Sequence, residues 1–118
     1  MFFGDLVVKL VRDEEGGLWE LLAPLSFESS TGYTITAPIG VRTDFVSTPR
    51  IPIVFEALGS RCMKAGTLHD YLYQTHEVDR ETADKLLQEM LMVEGMSRIE
   101  ADACFLAVRI GGESHWTK

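Results

Sequence analysis

Cysteine is scarce in this 118-residue chain: Cys62 and Cys104 are the only two, and neither stands in a CxxC pair or another metal-ligand spacing. Both fall within apolar helical patterns, where a free thiol packs as a small hydrophobe. Positive charge is short as well, with eleven Lys and Arg against eighteen Asp and Glu and a net charge of −7. No basic stripe exists to meet phosphates, which argues against a nucleic-acid partner. A surface of this sign also gains nothing from an anionic membrane. No apolar run approaches the roughly 20 residues of a membrane span, so no transmembrane segment is expected. The opening "MFFGDLVVKLVRD" shows neither a basic leader nor a small-residue cleavage site. It reads as a protein made and kept in a cytoplasm, unless assembly or lysis carries it out. Repeats, low-complexity tracts and linkers are absent, and the length fits one domain.

What is present falls into two halves. Residues 1–48 read mainly as β: "DLVVKLVRD" and "LWELLAPLSFES" suggest a hairpin, with Gly16 and Gly17 in the turn. "STG" offers a second turn before "YTITAPIG", where Tyr33, Ile35 and Ala37 alternate with Thr34 and Thr36. Residues 49–112 read mainly as α. A short helix after Pro49 and Pro52 reaches Leu58, and a second helix covers residues 62–75. A third is capped by Asp79, with Ala83, Leu86, Leu87, Met90 and Leu91 as its apolar stripe. A fourth opens on the capping box Ser97–Glu100 and carries the stripe Ile99, Ala103, Leu106, Ala107 and Ile110. Residues 113–118 form a tail. Strands first and helices after them indicate an α+β domain: an N-terminal antiparallel hairpin or meander followed by three to four packed helices.

The stretch "TLHDYLYQTHEVDRETADKLLQEM" carries the chemistry. His69 shares a helical face with Ala65, Leu68, Leu72 and Tyr73, so it points inward, with Asp70 about 100° around. Alone, such a histidine is a hydrogen-bonded core residue. Asp84 alters that reading, because it lies on the apolar side of its helix, in the row of Leu87 and Leu91. A buried carboxylate needs a partner. Arg80 is the plain candidate; His69 is the sharper one, since a carboxylate holding one imidazole nitrogen leaves the other free to take a proton from water. Tyr73 reaches the same network, and Asp70 is a potential ligand for a hard cation such as calcium.

"TDFVSTPR" (43–50) joins the halves. Ser47 or Thr48 there can cap the short helix and Asp44 can fold into an Asx turn. Alternatively Asp44 and Arg50 face the His69 region across a shared cleft, Asp44 as a second carboxylate or metal ligand. Arg109 can pair with Asp44 or Asp84. Trp116 reads as a lid packed on the sheet, and His76 as solvated. HExxH and GxSxG motifs, a phosphate-cradling glycine loop and the extra histidines of a two-metal phosphohydrolase are all missing.

Taken in order, "LWELLAPLSF", "APIGVRTDFVSTPR", "AGTLHDYLY", "DRETADKLLQEMLMVEGM" and "AVRIGGESHW" resemble a family of uncharacterised proteins of tailed phages and prophages. Val41 and Arg42 stand where that family usually has Gly and Phe. Locally, His-Asp-x-x-Tyr followed by Ala-Asp on the next helix resembles the helix pair of small calcium-dependent phospholipases. That resemblance implies that His69 activates water, Asp70 binds calcium and Asp84 orients the histidine, with Tyr73 in support. The glycine-rich calcium loop and disulfides of those enzymes have no counterpart here. Two readings follow. One is a phage hydrolase cleaving an ester or amide of the cell envelope, with His69–Asp84 as its general-base pair. The other is a virion or tail component, or a host-protein-binding factor, whose polar residues form a structural network. The first needs His69 at the floor of an open cleft, about 2.6–3.2 Å from Asp84. The second buries the whole group.

Overall fold

Two small antiparallel sheets occupy the N-terminal part of the computed structural model, which describes residues 1–13, 17–43 and 62–116. β1 (Phe2–Phe3), β4 (Leu25–Glu28) and β5 (Thr34–Ala37) form one sheet in the order β1-β4-β5. β2 (Val8–Arg12), β3 (Leu18–Leu21) and β6 (Arg42–Thr43) form the other, in the order β2-β3-β6. The expected hairpin is β2–β3, with Val8 opposite Leu21 and Lys9 opposite Glu20. The single strand expected across "LWELLAPLSFES" is broken, however. β3 ends at Leu21 and β4 begins at Leu25 in the other sheet. Pro24 lies in the break, and a residue without an N–H cannot continue a ladder on both sides.

The turn at Thr31 and Gly32 leads into β5, where the expected alternation holds. Ile35 and Ala37 are buried while Thr34 and Thr36 are exposed. Phe27 opposite Ile35 and Leu25 opposite Ala37 make a buried row on that sheet. The short helix expected over 49–58 lies outside the described residues.

Four helices follow among the described residues: α1 (Met63–Thr75), α2 (Arg80–Val93), α3 (Arg98–Gly111) and α4 (Glu113–Trp116). The first three match the expected segments closely, and α4 occupies what was expected as tail. Asp79 caps α2 by accepting the Thr82 N–H at 3.0 Å, and the Ser97–Glu100 capping box opens α3. α1 has no side-chain cap of its own; Glu94, just past α2, accepts the Ala65 N–H at 2.7 Å instead. α1 is the central element, touching both sheets, α2 and α4. Its Ala65, Leu68 and Leu72 join Leu86, Leu87, Met90 and Leu91 of α2 in the core. No helix among the described residues is long and apolar enough to cross a membrane.

α3 departs from expectation. Ile99, Ala103, Leu106 and Ile110 are exposed and Ala107 is half-buried, while Ala101, Cys104 and Val108 face inward. Small side chains at a helix contact allow close approach of the axes. α3 therefore turns its small-residue face towards the core and leaves its large aliphatic residues outside.

Candidate active site

Three helices converge on one carboxylate. The Asp84 side chain, on α2, is fully buried. Its Oδ1 lies 2.8 Å from Nε2 of His69 and accepts the Tyr73 hydroxyl at 2.7 Å, both residues coming from α1 one turn apart. Its Oδ2 accepts from the Arg109 guanidinium of α3 at 2.9 Å. Arg80 stands 3.8 Å from Oδ2 and donates to the Val108 and Arg109 carbonyls, at 3.1 and 3.3 Å, near the end of α3. Those carbonyls belong to the last turn, where Val108 also accepts the Gly112 N–H at 2.8 Å. The Arg80 ion pair and the His69 pair, weighed as alternatives from sequence, coexist on opposite oxygens.

Protonation follows from these contacts. Burial pushes the Asp84 carboxyl up, but hydrogen bonds from His69, Tyr73 and Arg109 outweigh it and hold it below the ordinary carboxylate range. Burial pulls His69 below its ordinary value, with Asp84 opposing, so the ring is neutral near pH 7. Burial and the Asp84 charge push the Tyr73 hydroxyl far up, so it remains a donor. An ionised carboxylate only accepts, so the proton of the neutral imidazole sits on Nε2. Nδ1 is left with a lone pair, and it is buried with no hydrogen-bond partner among the described residues. Most buried polar atoms are satisfied, and an orphan calls for a physical explanation such as a bound water or a chemical role.

Asp70 turns away from this cluster. It is buried and accepts a hydrogen bond from the Thr43 hydroxyl of β6. Gln74, one turn on, donates to the Arg42 carbonyl at 2.9 Å. α1 therefore tethers β6 at two points. Asp44 and Arg50 lie outside the described residues. Among the described residues no group of three or more His, Cys, Asp or Glu side chains is gathered for a metal.

His69 is 1% exposed and points into the core, as its place on the apolar face of the helix implies; burial is what the structural-network reading requires. One expectation needs correction. Trp116 packs on helices, not on the sheet. Its ring stacks on His76 at 3.9 Å and 11°, and meets Tyr73 edge-on at 5.2 Å. His76 is exposed as expected, with Trp116 on its face. Gly112 makes this closure possible, since a Cβ there would come within 2.5 Å of the Val108 carbonyl and 2.6 Å of the Tyr73 hydroxyl. Thr43 escaped the sequence reading, and Gly112, the C-cap of α3, enters it only as part of a Gly111–Gly112 helix stop. The doubled glycine was the available signal, because one residue suffices to stop a helix.

The sequence model of one family, described as "Protein of unknown function (DUF1353)", matches residues 19–108. The matched span takes in His69, Asp70, Tyr73 and Asp84, and ends one residue before Arg109. No curated protein and no solved structure matches the chain.

Proposed function

The chain belongs to the DUF1353 family, and we propose that it is a small hydrolase of tailed-phage or prophage origin that activates water on His69. The supporting observation is the Nδ1 of a neutral imidazole, without a hydrogen-bond partner among the described residues, whose other nitrogen is fixed by a carboxylate. In this reading a water hydrogen-bonds to Nδ1 and attacks the carbonyl carbon of an ester or amide. As the oxygen–carbon bond forms, the proton passes to Nδ1, and the imidazolium is stabilised by the Asp84 charge. The same proton then goes to the leaving group as its bond to carbon breaks. Tyr73 and Arg109 do not touch substrate; they keep Asp84 ionised and aimed. A positioned general base of this kind contributes about 10²–10⁴-fold.

The substrate class is an envelope ester or amide, in lipid or peptidoglycan, reached from the host cytoplasm or by a virion-associated protein. Calcium enters through Asp70, on the phospholipase resemblance, with Asp44 of the 43–50 loop as second ligand, and the proton transfer above does not depend on it. The test is hydrolysis of phospholipid vesicles and of purified peptidoglycan, with calcium or chelator, by wild type and His69→Gln. Release of fatty acid or of new amines or carboxylates, falling at least about 100-fold in the variant, is the expected result. Equal rates in both proteins would remove His69 from the chemistry.

One observation favours a second reading. At 1% exposure His69 offers substrate no direct approach, so the hydrolase reading requires a movement that uncovers Nδ1. A virion or tail component, or a host-protein-binding factor, in which the buried network fixes how three helices meet, requires none. That reading leaves Nδ1 unexplained unless an enclosed water satisfies it. Absence of hydrolysis with both substrates, together with a His69 ring that exchanges no protons with solvent, would select it.

A further inference from the structure

α3 carries apolar residues on two sides, and only one is used by the fold. Ala101, Cys104 and Val108 are in the core. On the other side Ile99, Ala103, Leu106 and Ile110 follow one another at intervals of four, three and four residues. That is the spacing of a seam between paired helices. Ile99 is 82% exposed, Leu106 60% and Ile110 84%. A monomeric surface rarely spends three large aliphatic side chains on one contiguous stripe.

We propose that this stripe pairs with the same stripe of a second copy, with the two α3 helices antiparallel across a two-fold axis. The seam is self-complementary in that arrangement. Ile99 meets Ile110 of the second copy at each end, and Ala103 meets Leu106 at the centre, small against large. Charge fits as well. Asp102, which accepts from Gln88 and from Arg98 of its own chain, and Arg109, which donates to Asp84, flank the same edge of the stripe. Antiparallel pairing sets each opposite its counterpart on the other copy, adding two opposite-charge pairs to those contacts. A groove of about 620 Å³ beside Ile110, lined by Ala107, Gly111, Glu113 and Ser114, is where Ile99 of the second copy enters. An isologous contact of this kind closes on itself and stops at the dimer. Arg109 then stands between Asp84 inside its own subunit and Asp102 of the other, so association reaches the buried network through one side chain.

Sedimentation velocity on the full chain tests the proposal, using wild type, Ile99→Glu and Ile110→Glu. Both positions are more than 80% exposed, so the variants keep the monomer fold, checked by far-ultraviolet circular dichroism and thermal melting. The expected result is a concentration-dependent dimer for wild type and dissociation at least about tenfold easier in each variant. Register is tested by oxidation. The double variant Ile99→Cys with Ile110→Cys is expected to form a covalent dimer. Either substitution alone is not, because the two-fold separates like positions by about 16 Å along the helix. A wild type that stays monomeric at every accessible concentration overturns the proposal. So does a dimer that survives Ile110→Glu, or cross-linking by a single substitution. Vesicle binding by a monomer through the same stripe would overturn it in favour of a lipid surface.

Discussion

Replacing Asp84 by alanine leaves three donors aimed at a missing acceptor. Arg109 is partly exposed and recovers water, whereas His69 and Tyr73 are buried and do not. Hydrogen bonds to a charged group contribute about 1.5–3 kcal/mol each, but these three share one carboxylate and do not sum. Removing one partner of a buried pair costs about 3–5 kcal/mol, and that range is the expected loss for Asp84→Ala. With a urea slope of about 1–3 kcal/mol/M, the unfolding midpoint falls by at least about 1 M while the slope stays unchanged. Asp84→Asn keeps the volume and one accepting oxygen, so its loss is smaller, about 2 kcal/mol. The assay is equilibrium urea unfolding followed by circular dichroism. A loss below about 1 kcal/mol for Asp84→Ala would refute the view that this carboxylate holds the three helices together.

Glu94 gives a pH-dependent prediction. Burial pushes its carboxyl up to about 7, against the hydrogen bonds it accepts from the Ala65 and Lys64 backbone and the nearby Lys64 charge. A raised carboxyl is most stabilising when protonated, so wild type loses stability as pH rises from the ordinary glutamate range, about 4.3, through about 7. Glu94→Gln does not titrate and should gain on wild type across that window, read as melting temperature against pH. His69 acts in the opposite sense: its folded-state value is lowered, so its contribution is intact above about 6.5 and declines as pH falls below that. Gly112→Ala should cost about 1–3 kcal/mol by overpacking against the Val108 carbonyl and the Tyr73 hydroxyl, with Trp116 fluorescence shifting as its contacts rearrange. Ser97→Ala should lose about 1 kcal/mol in urea unfolding, through the α3 capping box, without altering the His69 resonances.

Much of the fold was legible because it is local. Caps at Asp79 and Ser97, the α2 stripe and the alternation in β5 each depend on residues a few positions apart, and each stands in the structure as read. Asp84 was legible as an anomaly, a charge on an apolar face whose desolvation had to be answered. The α3 orientation was not, because periodicity marks where apolar residues recur but not which of two apolar faces meets the core. Size misled there: the bulky Ile99, Leu106 and Ile110 drew the reading, while close packing selected Ala101, Cys104 and Val108. The β3–β4 break depended on treating Pro24 as a change of sheet. The Thr43–Asp70 contact joins residues from the two halves of the chain, and no local pattern announces it.

The most direct test is nitrogen-15 NMR of the histidine rings, recorded as a pH titration of wild type and Asp84→Asn with and without calcium. The expected result is a neutral His69 ring at pH 7, protonated on Nε2 and bare on Nδ1. It should titrate below the ordinary histidine value, and lower still when the Asp84 charge is removed. A proton on Nδ1, or a cationic ring at pH 7, would contradict the arrangement on which the proposed water activation depends.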